Sequence, residues 1–331
     1  MGETIRPRSV LATLAALFLG VAPSRAAVTL LSALPSLGVR VDVRSTSASV
    51  LRKGELTLDL GYVFRAAARS FDRNGRLQDL NLNQEITSQT VPMTVSYGAT
   101  GRFSLGFSIN VFTALERNAS VMNYSPGATL MGIPLPVGET FFFRQSGAGL
   151  SDLTINTQYE VKLRTRGNSL LVQLDTTLPT ADADQHTVFD MPVGQGNTSF
   201  TFSGFFVREL NWRATLSLRL GYEHNLYGTA TLADGTRARF RPGDGFNWVA
   251  GSSLLVHKGV RARALLFGVN RSGRVSNDAP VEDSAFYLAE LRPGFEVDRR
   301  GIHYTFETFI PVAGTNVLAG KGAFVTGQMR F

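Results

Sequence analysis

The feature that most constrains this chain is a strict alternation of apolar and polar residues, repeated in segments of roughly ten residues. In residues 212–223, Trp212, Leu216, Leu220 and Tyr222 share one face with other apolar residues, while polar residues and glycine occupy every second position. Residues 102–111 and 152–163 show the same period of two. Because successive side chains of a β-strand point to opposite faces, each segment is predicted to be a strand with one apolar and one polar surface.

A soluble β-sandwich also alternates, but three features favour a membrane barrel. The segments match the ~9–11 residues that a tilted strand needs to cross a bilayer. Aromatic residues gather at the segment ends, and short connections alternate with long ones. Beyond residue 26, no stretch approaches the ~20 continuous apolar residues of a spanning helix. The predicted fold is all-β, a closed antiparallel transmembrane β-barrel of about 12 strands.

The predicted strands cover about residues 55–65, 89–97, 102–112, 150–163, 169–178, 198–207, 212–223, 246–257, 260–270, 286–297, 302–310 and 322–331. The long loops between them are 66–88, 113–149, 179–197, 224–245, 271–285 and 311–321. Short turns of bacterial barrels face the periplasm, so both ends of the barrel are expected there. The run of alternating arginines at 237, 239 and 241 follows an Asp-Gly turn, which predicts a hairpin above the membrane.

The first 26 residues predict a secretory signal peptide. Arg6 and Arg8 precede a short apolar run over 10–21, and small residues up to Ala26 form the cleavage site. An uncleaved anchor is the alternative. Residues 27–54 are expected to be a periplasmic tail, a lumenal plug or an additional strand, and residues 55–331 the barrel. The expected location is the bacterial outer membrane.

The last strand resembles the carboxyl-terminal signature of outer-membrane barrel proteins. Ala323, Val325, Met329 and Phe331 share one face, and Phe331 is the last residue. The resemblance implies that the barrel-assembly machinery reads Phe331.

A broader resemblance lies in the middle of the chain. It rests on Gly147-Ala-Gly-Leu-Ser-Asp-Leu-Thr154, Tyr159, Leu174-Asp-Thr-Thr-Leu-Pro-Thr180 and Gly194-Gln-Gly-Asn-Thr-Ser199. These segments are similar to the outer-membrane transporter family of the phenol-degradation meta pathway. The resemblance covers 55–331 in strand order and 147–225 in specific motifs. Members usually have Pro-Thr-Gly where this chain has Pro179-Thr180-Ala181. It implies a barrel fold and a role in transport.

The inward faces of the predicted strands carry nine acidic and nine basic residues. An ion-selective pore would carry an excess of one sign, so this balance favours cross-lumen ion pairs. Two interpretations stay open, a paired structural interior and a narrow solute path. The lumen-lining candidates are Asp59, Asp152, Glu160, Arg213, Arg219, Glu223, Arg261, Arg263, Glu290, Arg292, Glu307 and Arg330.

The predicted loop 113–149 is long and unusually apolar, with Phe141, Phe142 and Phe143 in a row. These three residues are candidates for a constriction or a hydrophobic entry site at the barrel mouth. The alternative is that they pack against neighbouring loops.

The sequence predicts no catalytic residues, no cofactor and no metal. A barrel hydrolase would need a nucleophile and a base within hydrogen-bond reach near the outer leaflet, whereas His257 and His303 are expected at periplasmic ends. Asp182, Asp184, His186 and Asp190 lie on one loop but lack the glycine and the terminal Glu of a calcium loop, so a solvated acidic loop is favoured. There is no Cys, which removes thiol catalysis and iron–sulfur clusters.

The predicted function is an outer-membrane channel or transporter for a small solute, with hydrophobic or aromatic molecules as the leading class. The alternatives are a structural or adhesive surface barrel and a lipid-modifying enzyme. The expected partners are outer-membrane lipid, lipopolysaccharide, the barrel-assembly machinery and the solute. The net charge of +7 indicates either contact with anionic lipopolysaccharide or a solvated basic face, since an exported barrel does not meet nucleic acid.

Overall fold

The structure is a computed structural model that describes residues 50–80, 84–122, 129–130, 133–134, 140–163, 167–187, 190–232 and 235–331. The predicted signal peptide and nearly all of the segment 27–54 lie outside the described residues. Within these described ranges, no helix is long and apolar enough to cross a membrane.

The described elements are all strands. They are β1 (Leu56–Ala67), β2 (Arg69–Phe71), β3 (Leu77–Asp79), β4 (Glu85–Gly98), β5 (Phe103–Met122), β6 (Thr129–Leu130), β7 (Ile133–Pro134), β8 (Thr140–Gly149), β9 (Leu153–Val161), β10 (Asn168–Leu178), β11 (Ser199–Glu209), β12 (Ala214–Asn225), β13 (Gly228–Thr231), β14 (Arg237–Arg241), β15 (Gly245–His257), β16 (Val260–Arg271), β17 (Val275–Ser276), β18 (Ala279–Pro280), β19 (Phe286–Arg299), β20 (Ile302–Thr315), β21 (Val317–Leu318) and β22 (Lys321–Arg330).

One antiparallel sheet closes on itself to form the barrel. Its order is β4-β1-β22-β20-β19-β16-β15-β12-β11-β10-β9-β5-β8, and β4 also pairs with β5. Since β8 pairs only with the outer half of β5, the closed ring contains twelve strands and β8 extends it. Closure satisfies the backbone groups of every ring strand, which a sheet in lipid requires. The predicted fold class is confirmed.

The alternation in the sequence separates the lumen from the lipid-facing surface. In β1, the odd-numbered positions from Thr57 to Ala67 are buried, whereas Leu60, Tyr62 and Phe64 are exposed. Other strands have the same pattern, and their exposed large side chains include Phe107, Phe202, Leu218, Leu220, Tyr222, Leu266, Leu291 and Phe295. An apolar exterior band is the surface that a barrel presents to lipid, and it places the protein in the bacterial outer membrane.

The segment 113–149 is not a loop at its two ends, and this part of the prediction was wrong. β5 continues to Met122, and its outer half pairs with β8 from Thr113↔Gly149 to Met122↔Thr140. The sequence does not show one continuous alternation through β5, because Val111 is an extra residue in the pairing of β4 with β5. The inward positions therefore change from even numbers to odd numbers within β5.

The predicted hairpin above the membrane is confirmed. β13 pairs with β14 in antiparallel register from Gly228↔Phe240 to Thr231↔Arg237. Arg237 and Arg239 of this hairpin are exposed, whereas Ala238 and Phe240 are buried. The alternating arginines therefore form the outer face of a hairpin whose other face packs on the barrel mouth.

Candidate functional site: the lumen and its outer mouth

One side of the lumen is polar. The inward residues of β4, β5, β9 and β10 form a continuous hydrogen-bonded belt, which we call the polar wall. The Ser108 hydroxyl lies 2.9 Å from that of Thr94 and donates to Asn156 Oδ1 at 2.8 Å. Asn156 Nδ2 then donates to Asp175 Oδ1 at 2.8 Å, and Gln173 Nε2 donates to Asp175 Oδ2. Because these side chains satisfy one another, the polar wall holds a defined shape.

The opposite side of the lumen combines apolar clusters with buried charged side chains. Val63, Phe309 and Phe324 form one buried cluster on β1, β20 and β22. A second cluster on β16 and β19 includes Phe267, Val269 and Leu288. We call these inward side chains the apolar wall. Polar residues usually line the interior of membrane barrels, so an apolar wall is a distinctive property of this lumen.

Two buried ion triads lie on the inner face of this apolar sector. In the outer triad, Arg65 Nη1 lies 2.6 Å from Glu290 Oε1, and Arg292 Nη2 lies 2.7 Å from Glu290 Oε2. All three side chains are almost completely buried. The Arg65 guanidinium lies 4.3 Å from the ring centroid of Phe309, and that of Arg292 lies 4.0 Å from the centroid of Phe267. The outer triad therefore covers part of the apolar wall by cation–π contact.

The inner triad has the opposite charge balance. Arg263 Nη1 lies 2.8 Å from Glu296 Oε1, and Arg263 Nη2 lies 3.0 Å from Glu307 Oε1. Two carboxylates and one guanidinium leave a formal charge of −1, whereas the outer triad leaves +1. The formal charges of the two triads thus cancel, and they are separated along the barrel axis.

The remaining lumen candidates occupy different environments. Arg219 lies on the inner face of β12, where Nη2 donates to Ser203 Oγ at 3.2 Å and lies 4.0 Å from Asp175 Oδ2. Glu223 forms an ion pair with Arg271 at 2.6 Å. Glu160 and Arg261 are half-buried, and Asp59 is buried. Their role in solute passage stays a prediction.

Two candidates lie at the rim formed by the short turns, which is the predicted periplasmic end. Arg213 precedes β12 in an exposed turn, where its guanidinium lies 4.2 Å from the ring centroid of Trp212. Arg330 Nη1 lies 3.8 Å from Glu55 Oε1 near the ends of β22 and β1. Both are more exposed than the triads because they lie where the strands end.

The Asp152 carboxylate accepts hydrogen bonds from both ends of the loop between β10 and β11. Its Oδ1 accepts a hydrogen bond from the backbone N–H of Ala181 at 3.0 Å, and its Oδ2 accepts one from that of Gln195 at 2.7 Å. The two donors lie near the two ends of the loop, so one carboxylate holds both. Leu153 N also donates to Thr180 Oγ1 at 2.8 Å. The conspicuous sequence segments at 147–154, 174–180 and 194–199 thus meet in one structure.

The same loop pairs with β8 through a parallel bridge between Ser146 and Asp190. Met191 N donates to Ser146 O at 3.1 Å, and a Cβ at Gly147 would lie 1.8 Å from Met191 O. Only glycine therefore fits at position 147 with the loop in place. The Met191 side chain is buried in an apolar group that we call the mouth cluster, formed with Ala67, Leu80, Ile86, Leu115 and Leu318. The described residues of the loop 179–197 therefore lie at the outer end of the barrel, a placement that the sequence did not predict.

The three consecutive Phe residues lie on β8 opposite Ala119, Ser120 and Val121 of β5. Phe142 is 83% exposed, so its side chain does not pack in the mouth. The side chains of Phe141 and Phe143 lie outside the described part of the structure. A constriction formed by these residues stays a prediction.

The acidic loop residues serve the loop itself. Asp182 Oδ2 lies 2.9 Å from His186 Nε2, and Asp184 Oδ1 accepts a hydrogen bond from Thr231 N at 2.6 Å. The hydrogen bond to Asp182 raises the pKa of His186, and the same contact lowers the pKa of Asp182. Among the described residues, no group of three or more His, Asp or Glu side chains is arranged to hold a metal ion.

The chain resembles solved outer-membrane proteins to different degrees. The COG4313 outer membrane channel from Pseudomonas putida F1 superposes with a TM-score of 0.67 at 12% identity, covering 88% of this chain and 100% of that chain. The TodX deltaS2S3 mutant, a monoaromatic hydrocarbon channel, has a TM-score of 0.43 at 8% identity, covering 85% and 91%. The Ralstonia pickettii toluene transporter TbuX has a TM-score of 0.41 at 10% identity, covering 85% and 90%. The first similarity supports the fold, and the other two are too weak to carry an argument.

No curated protein matches the chain significantly. The sequence profile of one family, described as "Putative MetA-pathway of phenol degradation", matches residues 97–270, just over half of the chain. The match includes Gly147, Asp152 and Gly194, which lie at the contacts of the loop 179–197. The chain therefore belongs to this family, in which it forms a closed twelve-stranded outer-membrane β-barrel.

Proposed function

We propose that the protein is a channel through which small hydrophobic or aromatic solutes cross the outer membrane. The observation that carries the proposal is the apolar wall, which faces the polar wall across one lumen. A solute with an apolar body would pass beside the apolar wall while its polar groups face the amides and hydroxyls opposite. The family description, which refers to phenol degradation, supports the same class of solute.

A matched pair of valines tests the proposal. Val269 is buried on the apolar wall, whereas Val256 is 58% exposed on the barrel exterior. The uptake of phenol and of a small sugar would be measured in a porin-deficient host that makes the wild type, Val269→Ser or Val256→Ser. Only Val269→Ser is expected to lower phenol uptake relative to sugar uptake, because it makes the wall more polar. Equal uptake ratios in all three would contradict the proposal.

Two alternatives are separated by direct assays. A structural or adhesive barrel would show no unitary conductance in a planar bilayer while its heat-modifiable gel mobility stays intact. A lipid-modifying enzyme would release fatty acid from phospholipid vesicles. We propose that neither holds and that the protein acts without catalysis. We also propose that lipopolysaccharide surrounds the exposed arginines of the outer hairpin and that the barrel-assembly machinery recognises Phe331.

A further inference from the structure

Arg117 lies on the inner face of the barrel mouth, one step outside the mouth cluster. Its residue position on β5 is opposite Ile86 of β4 and opposite Gln145 of β8. Leu115 lies two residues before it on the same face and belongs to the mouth cluster with Ile86 and Met191. The guanidinium therefore belongs to a residue next to a buried apolar cluster at the outer end of the barrel.

The hydrogen-bond partners of Arg117 are neutral. Nε and Nη2 donate to Gln84 Oε1 at 3.1 and 2.8 Å, and Nη1 donates to Gln145 Oε1 at 3.3 Å. A guanidinium has five N–H groups, so two are left after these three contacts. Within the described ranges, no carboxylate lies at ion-pairing distance from Arg117, in contrast to Arg65, Arg263 and Arg292 in the lumen triads. A half-buried cation without a counter-charge is costly unless an anion reaches it.

We propose that Arg117, with Gln84 and Gln145, is a recognition site for small carboxylates that carry an apolar body, such as aromatic acids. The planar guanidinium matches the geometry of a carboxylate and can bind it through two parallel hydrogen bonds. The apolar body of the solute lies beside the mouth cluster. The inference rests on the proposed channel function and specifies the class of solute that the channel selects.

The neighbouring Arg144 provides a matched control. It lies on the same extended hairpin, but it is 64% exposed and forms an ion pair with Glu116 at 2.6 Å. Arg117→Gln and Arg144→Gln remove the same charge from opposite faces of one hairpin. Arg117→Lys keeps the positive charge but removes the planar guanidinium that can bind a carboxylate through two parallel hydrogen bonds.

The experiment compares benzoate with benzyl alcohol, a neutral molecule of nearly the same shape. Binding to the full chain in detergent would be measured by calorimetry, and uptake in a porin-deficient host. The wild type is expected to bind benzoate about tenfold more tightly than benzyl alcohol, as a charge-assisted hydrogen-bond pair provides. Arg117→Gln should abolish this preference, Arg117→Lys should reduce it, and Arg144→Gln should retain it.

Three results would overturn the site. In the first, Arg117→Gln still binds benzoate more tightly than benzyl alcohol by the wild-type factor. In the second, Arg117→Gln and Arg117→Lys lose affinity equally for both molecules. In the third, Arg144→Gln lowers the preference for benzoate as much as Arg117→Gln does. The uptake of benzyl alcohol distinguishes this failure from failure of the channel function. If the wild type does not raise benzyl alcohol uptake, the channel proposal fails. If it does so without any preference for benzoate, only the recognition site fails.

Discussion

Arg65 and Glu290, which are 225 residues apart in the sequence, form a bidentate ion pair. The Nη1–Oε1 distance is 2.6 Å and the Nη2–Oε2 distance is 3.2 Å. In the sheet, β22 and β20 lie between β1, which carries Arg65, and β19, which carries Glu290. The pair therefore passes over the inner face of two strands and covers Phe309. It couples the first strand of the ring to a strand near its end, so it forms only when the barrel has closed.

Replacing Glu290 tests how much this coupling contributes. Glu290→Gln leaves Arg65 and Arg292 buried without their carboxylate, and removing one partner of a buried pair costs about 3–5 kcal/mol. Urea unfolding in lipid vesicles should show this loss. Glu116→Gln breaks the pair with the exposed Arg144 and should cost at most about 1 kcal/mol. Equal losses would show that the outer triad does not stabilise the barrel.

The packing of Met191 against Gly147 predicts a larger opening when Gly147 is replaced. Gly147→Ala places a methyl group 1.8 Å from Met191 O and must displace the loop 179–197. Unitary conductance should rise, and external protease should cut between residues 183 and 190 more readily. Gly204 has no atom within 4 Å of its added Cβ, so Gly204→Ala should have no effect. Unchanged conductance after loop cleavage would show that the loop does not restrict the mouth.

The contact between Asp182 and His186 predicts a titration within the outer loop. The hydrogen bond raises the pKa of His186 above its ordinary value of 6.5. The contribution of the protonated imidazole to loop order is therefore complete below pH 6.5 and is lost as the pH rises through the higher folded pKa. NMR titration should show the raised pKa in the wild type, and Asp182→Asn should lower it. Asp298→Asn, at the opposite end of the barrel, should leave the His186 titration unchanged.

The orientation of the barrel predicts which positions are accessible from outside. The chain has no Cys, so a single introduced thiol reports its own location. Thr236→Cys in the outer hairpin should react with an impermeant thiol reagent on intact cells, and Lys258→Cys in a short turn should not. Both positions are exposed, and both avoid the neighbouring glycines Gly235 and Gly259, whose positive φ disfavours other residues. The reverse labelling would invert the assignment of outer and periplasmic ends.

Alternation by itself determined the barrel. The predicted strands at 246–257 and 260–270 agree closely with β15 (Gly245–His257) and β16 (Val260–Arg271), because an uninterrupted period of two defines both the strand and its inward face. Where one extra residue, Val111, interrupted that period, the outward continuation of β5 was missed. The sequence also pointed to Asp152 and the glycines around it, but without showing what they hold.

Only the tertiary structure decided which inward residues meet. The period of two places Arg65, Glu290 and Arg292 on the inner face, but their contact depends on how the ring closes and staggers its strands. The loop 179–197 has no periodicity to read, so its position on β8 follows from hydrogen bonds to Asp152 and from the space that Gly147 leaves. Local side-chain pattern is encoded within a few residues, whereas contacts across a lumen join positions that approach one another only in the closed barrel.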